Sequence, residues 1–198
     1  MPTQDVRADT RRRLLDGLAQ SIREKGLRST QIIDIVRNAR VSNRTFYECF
    51  ADKEACFTEL IEEWMLAILE IVQAALDPEA PWDEQVDTTV EAYLAALAEN
   101  PALTVTVTRE LPALGTRGAA LQENDIDRMA TFLMEMTRGP GMRRAGVEPI
   151  TLGTAVMLIG GIAEIVDRAA REGQPTESVG QTIKTVVKRV IGPSVEPR

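Results

Sequence analysis

Apolar residues return every three or four positions along almost the whole chain, and this spacing limits it to stripes on helices. Leu14, Leu15, Leu18, Ala19 and Ile22 set the pattern near the start. Only Thr104–Thr108 alternates in the two-residue manner of a strand. No partner segment accompanies it, so it too reads as helix. Aromatic residues make up only 4% of the chain, and Ala, Leu, Ile, Val and Met supply the apolar mass. The expected fold class is therefore all-α, with about nine helices.

Punctuation residues divide these helices. Asp9 caps the first, and Gly26 suits the position that ends it. Ser29 and Thr30 open a second, carrying Ile32, Ile33, Ile35 and Val36. Ala39-Arg40-Val41-Ser42 is a tight connection, and Ser42 caps a third helix, Asn43 to Cys49. Asp52 caps a long fourth helix running from 53 to 76, and Pro78 and Pro81 mark a break after it. A fifth helix runs from Trp82 or Asp83 to about Ala98, a sixth starts at Asn100-Pro101 and runs to about Glu110, and a seventh spans Ala119 to Arg138. Residues 111–118 and 139–149 read as loops. An eighth helix spans Ile150 to Glu172, and a ninth, capped by Thr176, runs to Ile191. Ser194 to Arg198 reads as disordered tail.

Charge is unevenly spread. Between Arg7 and Tyr47 lie ten Lys/Arg and four acids, a local excess of six on a chain of net charge −7. A basic head on an acidic body attracts phosphate locally, although a solvated basic surface looks the same in the sequence. Histidine is absent, which removes His-based triads and His metal sites, and two cysteines cannot make an all-cysteine zinc site. No glycine-rich phosphate loop or nucleophile motif is present, so the chain is not expected to be an enzyme, and no cofactor or metal is expected. The polar N-terminus lacks a secretory apolar core, and the longest apolar stretch, Ala155 to Val166, is broken by Gly160, Gly161 and Glu164. The expectation is a cytoplasmic protein without a membrane span, whose Cys49 and Cys56 are free thiols. They read as packing residues or, alternatively, as a redox-sensing pair.

Three short helices with a tight connection between the second and third form a helix-turn-helix. Its core would be Leu14, Leu18, Ile22, Leu27, Ile32, Ile35, Val36, Ala39, Val41 and Phe46. That core would hold the third helix so that Asn43, Arg44 and Tyr47 face outward. Arg pairs bidentately with guanine, Asn with adenine, and Tyr reaches phosphate. The run from Ser29 to Leu60 resembles the DNA-binding domain of the tetracycline-repressor (TetR) family. The matching residues are Thr30, Ala39, Val41-Ser42, Thr45, Tyr47, Phe50 and Lys53-Glu54. One position departs: Arg40 stands where the family usually has glycine.

The resemblance implies a ligand-responsive transcriptional regulator. Its helix-turn-helix domain would occupy residues 1–50, and its effector-binding and dimerisation domain residues 51–198. Thr30 and its helix start would hold a phosphate, and Ser42 would cap the reading helix, though each also reads as a simple cap. Asn43, Arg44 and Thr45 would lie near base edges, with Thr45 alternatively a buried contact. Tyr47 and Lys53 would grip the backbone, and Arg40 is expected to face phosphate. The partners implied are a palindromic double-stranded DNA operator, a second copy of the chain and a small, mostly apolar effector. Repression relieved by that effector is the common family behaviour, with activation as the alternative.

For the body, Trp64, Tyr93, Leu97, Val105, Met129, Phe132, Leu133 and Met136 are candidates to surround an effector, although such stripes also serve as plain core. Glu110, Glu123 and Asp125 are candidates to orient a cationic ligand, against a reading of solvated charge. Ile159, Gly160, Ile162, Ala163 and Val166, then Ile183, Val186, Val187 and Val190, supply more apolar surface than one partner helix needs. They are the candidate dimer face, two helices from each subunit forming a four-helix bundle.

Overall fold

The computed structural model describes residues 4–193, so the expected tail at 194–198 lies outside the described residues. Among the described residues there are ten α-helices and no strand. They are α1 (Gln4–Ser29), α2 (Ile32–Ala39), α3 (Asn43–Cys49), α4 (Lys53–Ala75), α5 (Trp82–Glu99), α6 (Pro101–Glu110), α7 (Thr116–Thr137), α8 (Pro140–Arg144), α9 (Leu152–Arg171) and α10 (Gly180–Ile191). Short 3-10 turns cover Leu111–Leu114 and Thr176–Val179. The chain up to Met65 packs with Pro101–Leu121 as one compact unit, here the head. Leu66–Asn100 packs with residues 122–193 as a second, the body. The head thus takes in more than the fifty residues assigned to reading DNA.

In the head, Leu14, Leu18, Ile35, Phe46, Phe57 and Ile61 are fully buried together. Phe57 and Ile61 bring the first half of α4 into this core. A glycine that the periodicity did not mark sets the approach of α1 to α2. A Cβ on Gly17 would stand 2.7 Å from the Ile35 carbonyl oxygen and 3.0 Å from the Ala39 nitrogen. Beside it, the buried Ser21 hydroxyl donates to the Gly17 carbonyl at 2.9 Å. Asn38 Nδ2 in turn donates to Ser21 Oγ at 3.0 Å, so the contact is fixed by polar as well as apolar groups.

Several boundaries differ from expectation. α1 begins at Gln4, not after Asp9; the added turns carry no apolar stripe for the periodicity to mark. Gly26 leaves the helix at φ 77°, as its position predicted, but the chain resumes a turn through Ser29. Thr30 does not open α2. Its hydroxyl donates back to the Gly26 carbonyl at 2.8 Å, and Gln31 takes the cap position instead. The Gln31 N–H donates to Asp34 Oδ2 at 2.9 Å, one half of a capping box. The run Thr104–Thr108 is helical. There Thr106 and Thr108 donate their hydroxyls to the carbonyls of Ala102 and Thr104, at 2.7 and 3.0 Å.

In the body, the expected 139–149 loop contains α8, started by Pro140, whose missing N–H costs nothing in a first turn. Met142 on α8 is fully buried. The Gly141 N–H donates to Pro78 O at 2.9 Å, tying α8 to the break between α4 and α5. α9 starts at Leu152 under a Thr151 cap, with Thr154 N–H donating to Thr151 Oγ1 at 3.2 Å. Thr176 is buried in a 3-10 turn and is not the cap of α10. No helix among the described residues is long and apolar enough to cross a membrane.

Candidate nucleic-acid interface and body cavity

Seven residues make α3, too few to hold a helix in water alone, so its shape comes from caps and packing. Ser42 Oγ accepts the Thr45 N–H at 3.1 Å and exchanges a hydrogen bond with Thr45 Oγ1 at 2.8 Å. That places Thr45 within the cap, half-buried, and commits its hydroxyl locally. Phe46 plugs the core from the inner face, and its ring meets Tyr47 edge-on at 5.5 Å. On the outer face Asn43, Arg44 and Tyr47 are exposed, Tyr47 by 60%. Arg44 Nε donates to Glu48 Oε1 at 2.9 Å, one turn along, which points the guanidinium along the helix surface.

The positive charge of the head is partly occupied inside it. Arg7 and Arg11 of α1 donate to the carbonyls of Glu48 and Cys49, at 3.2 and 2.8 Å, and so clamp the end of α3. Arg11 also pairs bidentately with Glu59 on α4 and lies 4.3 Å over the Phe50 ring. Arg13 donates to the Ala39 and Arg40 carbonyls, at 2.6 and 3.1 Å, and closes the end of α2. These three arginines hold the ends of α2 and α3 in place, a role a charge count does not reveal. Lys53 has a similar internal part. Its ammonium donates to Leu27 O at 2.9 Å and Thr30 O at 2.8 Å, so two of its N–H groups hold the α1–α2 junction. Cys56 is fully buried beside this core, and burial pushes its thiol up to about 12. Such a thiol carries almost no thiolate at neutral pH and is inert.

A second feature lies wholly within the body. About 680 Å³ of free space, its mouth included, opens among α4, α5, α7, α9 and α10. Tyr93, Met129, Phe132, Leu133 and Met136 line it, together with Val72, Thr89, Val90, Asp125 and Ile126. The other candidate liners lie elsewhere. Trp64 packs on the head core, Val105 faces a groove between α1 and α6, and Leu97 is buried away from the cavity. Trp64 lies in the head, and Val72, two turns further along α4, lies in the body and lines the cavity. Sequence also missed the contribution of α9 and α10. Ile159, Ile162, Ala163, Ile183 and Val187, all candidates for the dimer face, line the cavity. Val166 is buried as well. Gly160, Val186 and Val190 remain on the outer side, where Met157 is 63% exposed and a Cβ on Gly160 would touch nothing. The surplus apolar surface on α10 is thus two stripes, one inward and one outward.

Comparison with known proteins bears on the head first. Residues 14–60 match the profile of the bacterial regulatory proteins of the tetR family. The head carries a tetR-family DNA-binding domain. The likeness of fold extends over the rest of the chain. A tetR-family transcriptional regulator from Mesorhizobium loti MAFF303099 superposes with a TM-score of 0.77 at 19% identity, over 96% of this chain and 100% of the other. NemR of E. coli, in its reduced form, gives 0.68 at 19% identity, over 94% and 100%. FadR of Bacillus subtilis, solved with stearoyl-CoA, gives 0.66 at 17% identity, over 88% and 96%. No curated protein sequence matches this chain.

Within this tetR-family domain the turn before α3 is where the chain departs from the usual pattern. Arg40 adopts φ 53° and ψ 47°, the left-handed conformation in which a side chain costs about 1 kcal/mol relative to glycine. It is the only non-glycine residue with positive φ among the described residues, and its side chain is exposed. Arg40→Gly is therefore expected to raise the unfolding free energy by up to about 1 kcal/mol, read by urea denaturation, while weakening DNA binding. If the variant binds DNA as well as the parent, Arg40 has no phosphate contact.

Proposed function

We propose that this tetR-family protein is a dimeric, ligand-responsive regulator that leaves its operator when a small, mostly apolar molecule fills the body cavity. One observation carries the DNA half of this reading. α3 is capped by Ser42, plugged by Phe46 and clamped by Arg7 and Arg11, so that Asn43, Arg44 and Tyr47 stand outward on a rigid frame. A helix fixed this way fits the major groove. Arg44 and Asn43 are placed to read base edges, Tyr47 and Arg40 to bond phosphates. Thr30, buried behind α2, contributes through structure, and so does most of Lys53.

A palindromic operator presents two half-sites about 34–36 Å apart, and a symmetric pair of chains presents two reading helices. The outer stripe of α10, Val186 and Val190, with Met157 and Gly160 on α9, supports pairing through these two helices in a four-helix arrangement. An effector acts only through unequal affinity for the bound and released states. The apolar lining of the cavity supports an apolar effector.

The test is a binding titration on the intergenic DNA beside the protein's own coding sequence, at several salt concentrations. Tyr47→Phe is expected to weaken all DNA sequences alike. Arg44→Ala is expected to cost about 1–3 kcal/mol on the operator and to relax preference at one base position. Affinity unchanged in both variants would remove α3 as the reading helix.

A further inference from the structure

The polar groups of the body cavity are few, and each can be accounted for. Thr89 is occupied, since its hydroxyl donates to Gln85 O at 2.8 Å on its own helix. That leaves the Tyr93 hydroxyl on α5 and the Asp125 carboxylate on α7 in an otherwise apolar lining. Of the three acids that the sequence offered for orienting a cation, two are elsewhere. Glu110 pairs with Arg28 at 2.9 Å in the head, and Glu123 is exposed at the surface. Only Asp125 lines the cavity.

We propose that the effector carries a protonated nitrogen on an apolar body, with Asp125 as its counter-ion and the Tyr93 hydroxyl as a second hydrogen-bond partner. This rests on the reading of the cavity as the effector site. A carboxylate held among Ile, Leu, Met and Phe side chains loses part of its hydration. Burial is the largest influence on Asp125 and pushes it up to about 6, and the pull of Arg128, one turn along α7, is weaker. On the facing helices the titratable neighbours are Tyr93 and, beside it, Asp167 of α9. Burial and the nearness of both acids push the Tyr93 hydroxyl upward, so it stays protonated and neutral. The lining of the cavity therefore carries one acidic side chain, Asp125, and no basic one. An ammonium group would supply a charge partner within the lining. A carboxylate headgroup meets repulsion from Asp125.

The experiment compares three probes with the same ten-carbon chain, decylammonium, decanol and decanoate, by isothermal titration calorimetry at pH 7. Decylammonium is expected to bind at least tenfold more tightly than decanol, and decanoate more weakly than either. In Asp125→Asn the ammonium is expected to lose that advantage while decanol stays within about threefold, which also shows that the variant is folded. The unmodified protein gives an independent readout. A group titrating near 6 is ionised above that value and neutral below it, so the cation's hold is full at pH 7 and fades below 6. Affinity for decylammonium is expected to fall about tenfold from pH 7 to pH 5, with decanol little changed. Equal binding of amine and alcohol, or preference for decanoate, overturns the cationic headgroup and leaves the cavity as an apolar effector site. Failure of all three probes to bind removes the effector site itself, and the proposal with it.

Discussion

Phe46→Ala is expected to lower the stability of the head by about 3–5 kcal/mol. Phe46 has no solvent exposure and its ring lies 5.7 Å from that of Phe50, at the point where α3 meets α1, α2 and α4. Truncation leaves a void that stiff helix backbones cannot close. Tyr47, its neighbour on the same short helix, is a control from the opposite face. Tyr47→Ala removes an exposed ring and is expected to cost less than about 1 kcal/mol. Urea denaturation followed by circular dichroism gives both values. Near-equal losses would mean that α3 is not anchored by one face.

If the protein pairs through α9 and α10 as proposed, Val186→Asp combined with Val190→Asp is expected to leave it monomeric and to weaken operator binding by about 10²- to 10⁴-fold. Each side chain is more than two-fifths exposed on the outside of α10, while Ile183 and Val187 on the same helix face inward and are buried. The new charges therefore spare the protomer's own packing and fall on the surface where a partner would sit. The loss comes from bivalence: two reading helices tethered in register become two independent weak binders. Sedimentation equilibrium reports the mass, and a titration on full and half operators reports affinity. The half-site affinity is expected to stay within about threefold. A variant that remains dimeric would place the two-fold contact elsewhere.

How much was readable beforehand depended on whether a residue's role showed in its spacing. The head was legible because caps and core follow short-range rules. Ser42, Asp52 and the inward Leu14, Leu18, Ile35 and Phe46 all lie where periodicity puts them. Its arginines were not. Nothing in the sequence distinguishes Arg13, bonded to the end of α2, from Arg44 on the exposed face of α3, since both are single basic residues on helices. Thr30 and Lys53 misled for a related reason, because a hydroxyl or an ammonium suited to phosphate suits a backbone carbonyl equally well. In the body, five of the eight candidate cavity residues fell on the cavity, Tyr93 of α5 and the four on α7. An apolar residue at helical spacing does not say which side is solvent, so the sequence does not separate the buried Ile183 and Val187 of α10 from the exposed Val186 and Val190.

The weak intrinsic helicity of α6 has a consequence for how the head loosens. Thr104 to Thr108 is an unbroken run of β-branched residues, which together disfavour the helix by roughly 3 kcal/mol relative to alanine. Neighbouring side chains impose its shape: Leu103 is buried in the head core and Val107 packs against it. Unlike α1, whose long run of Arg, Leu and Ala favours coiling on its own, α6 stays wound only while those neighbours hold it. In transient openings of the head, its amide protons would be the first to meet water.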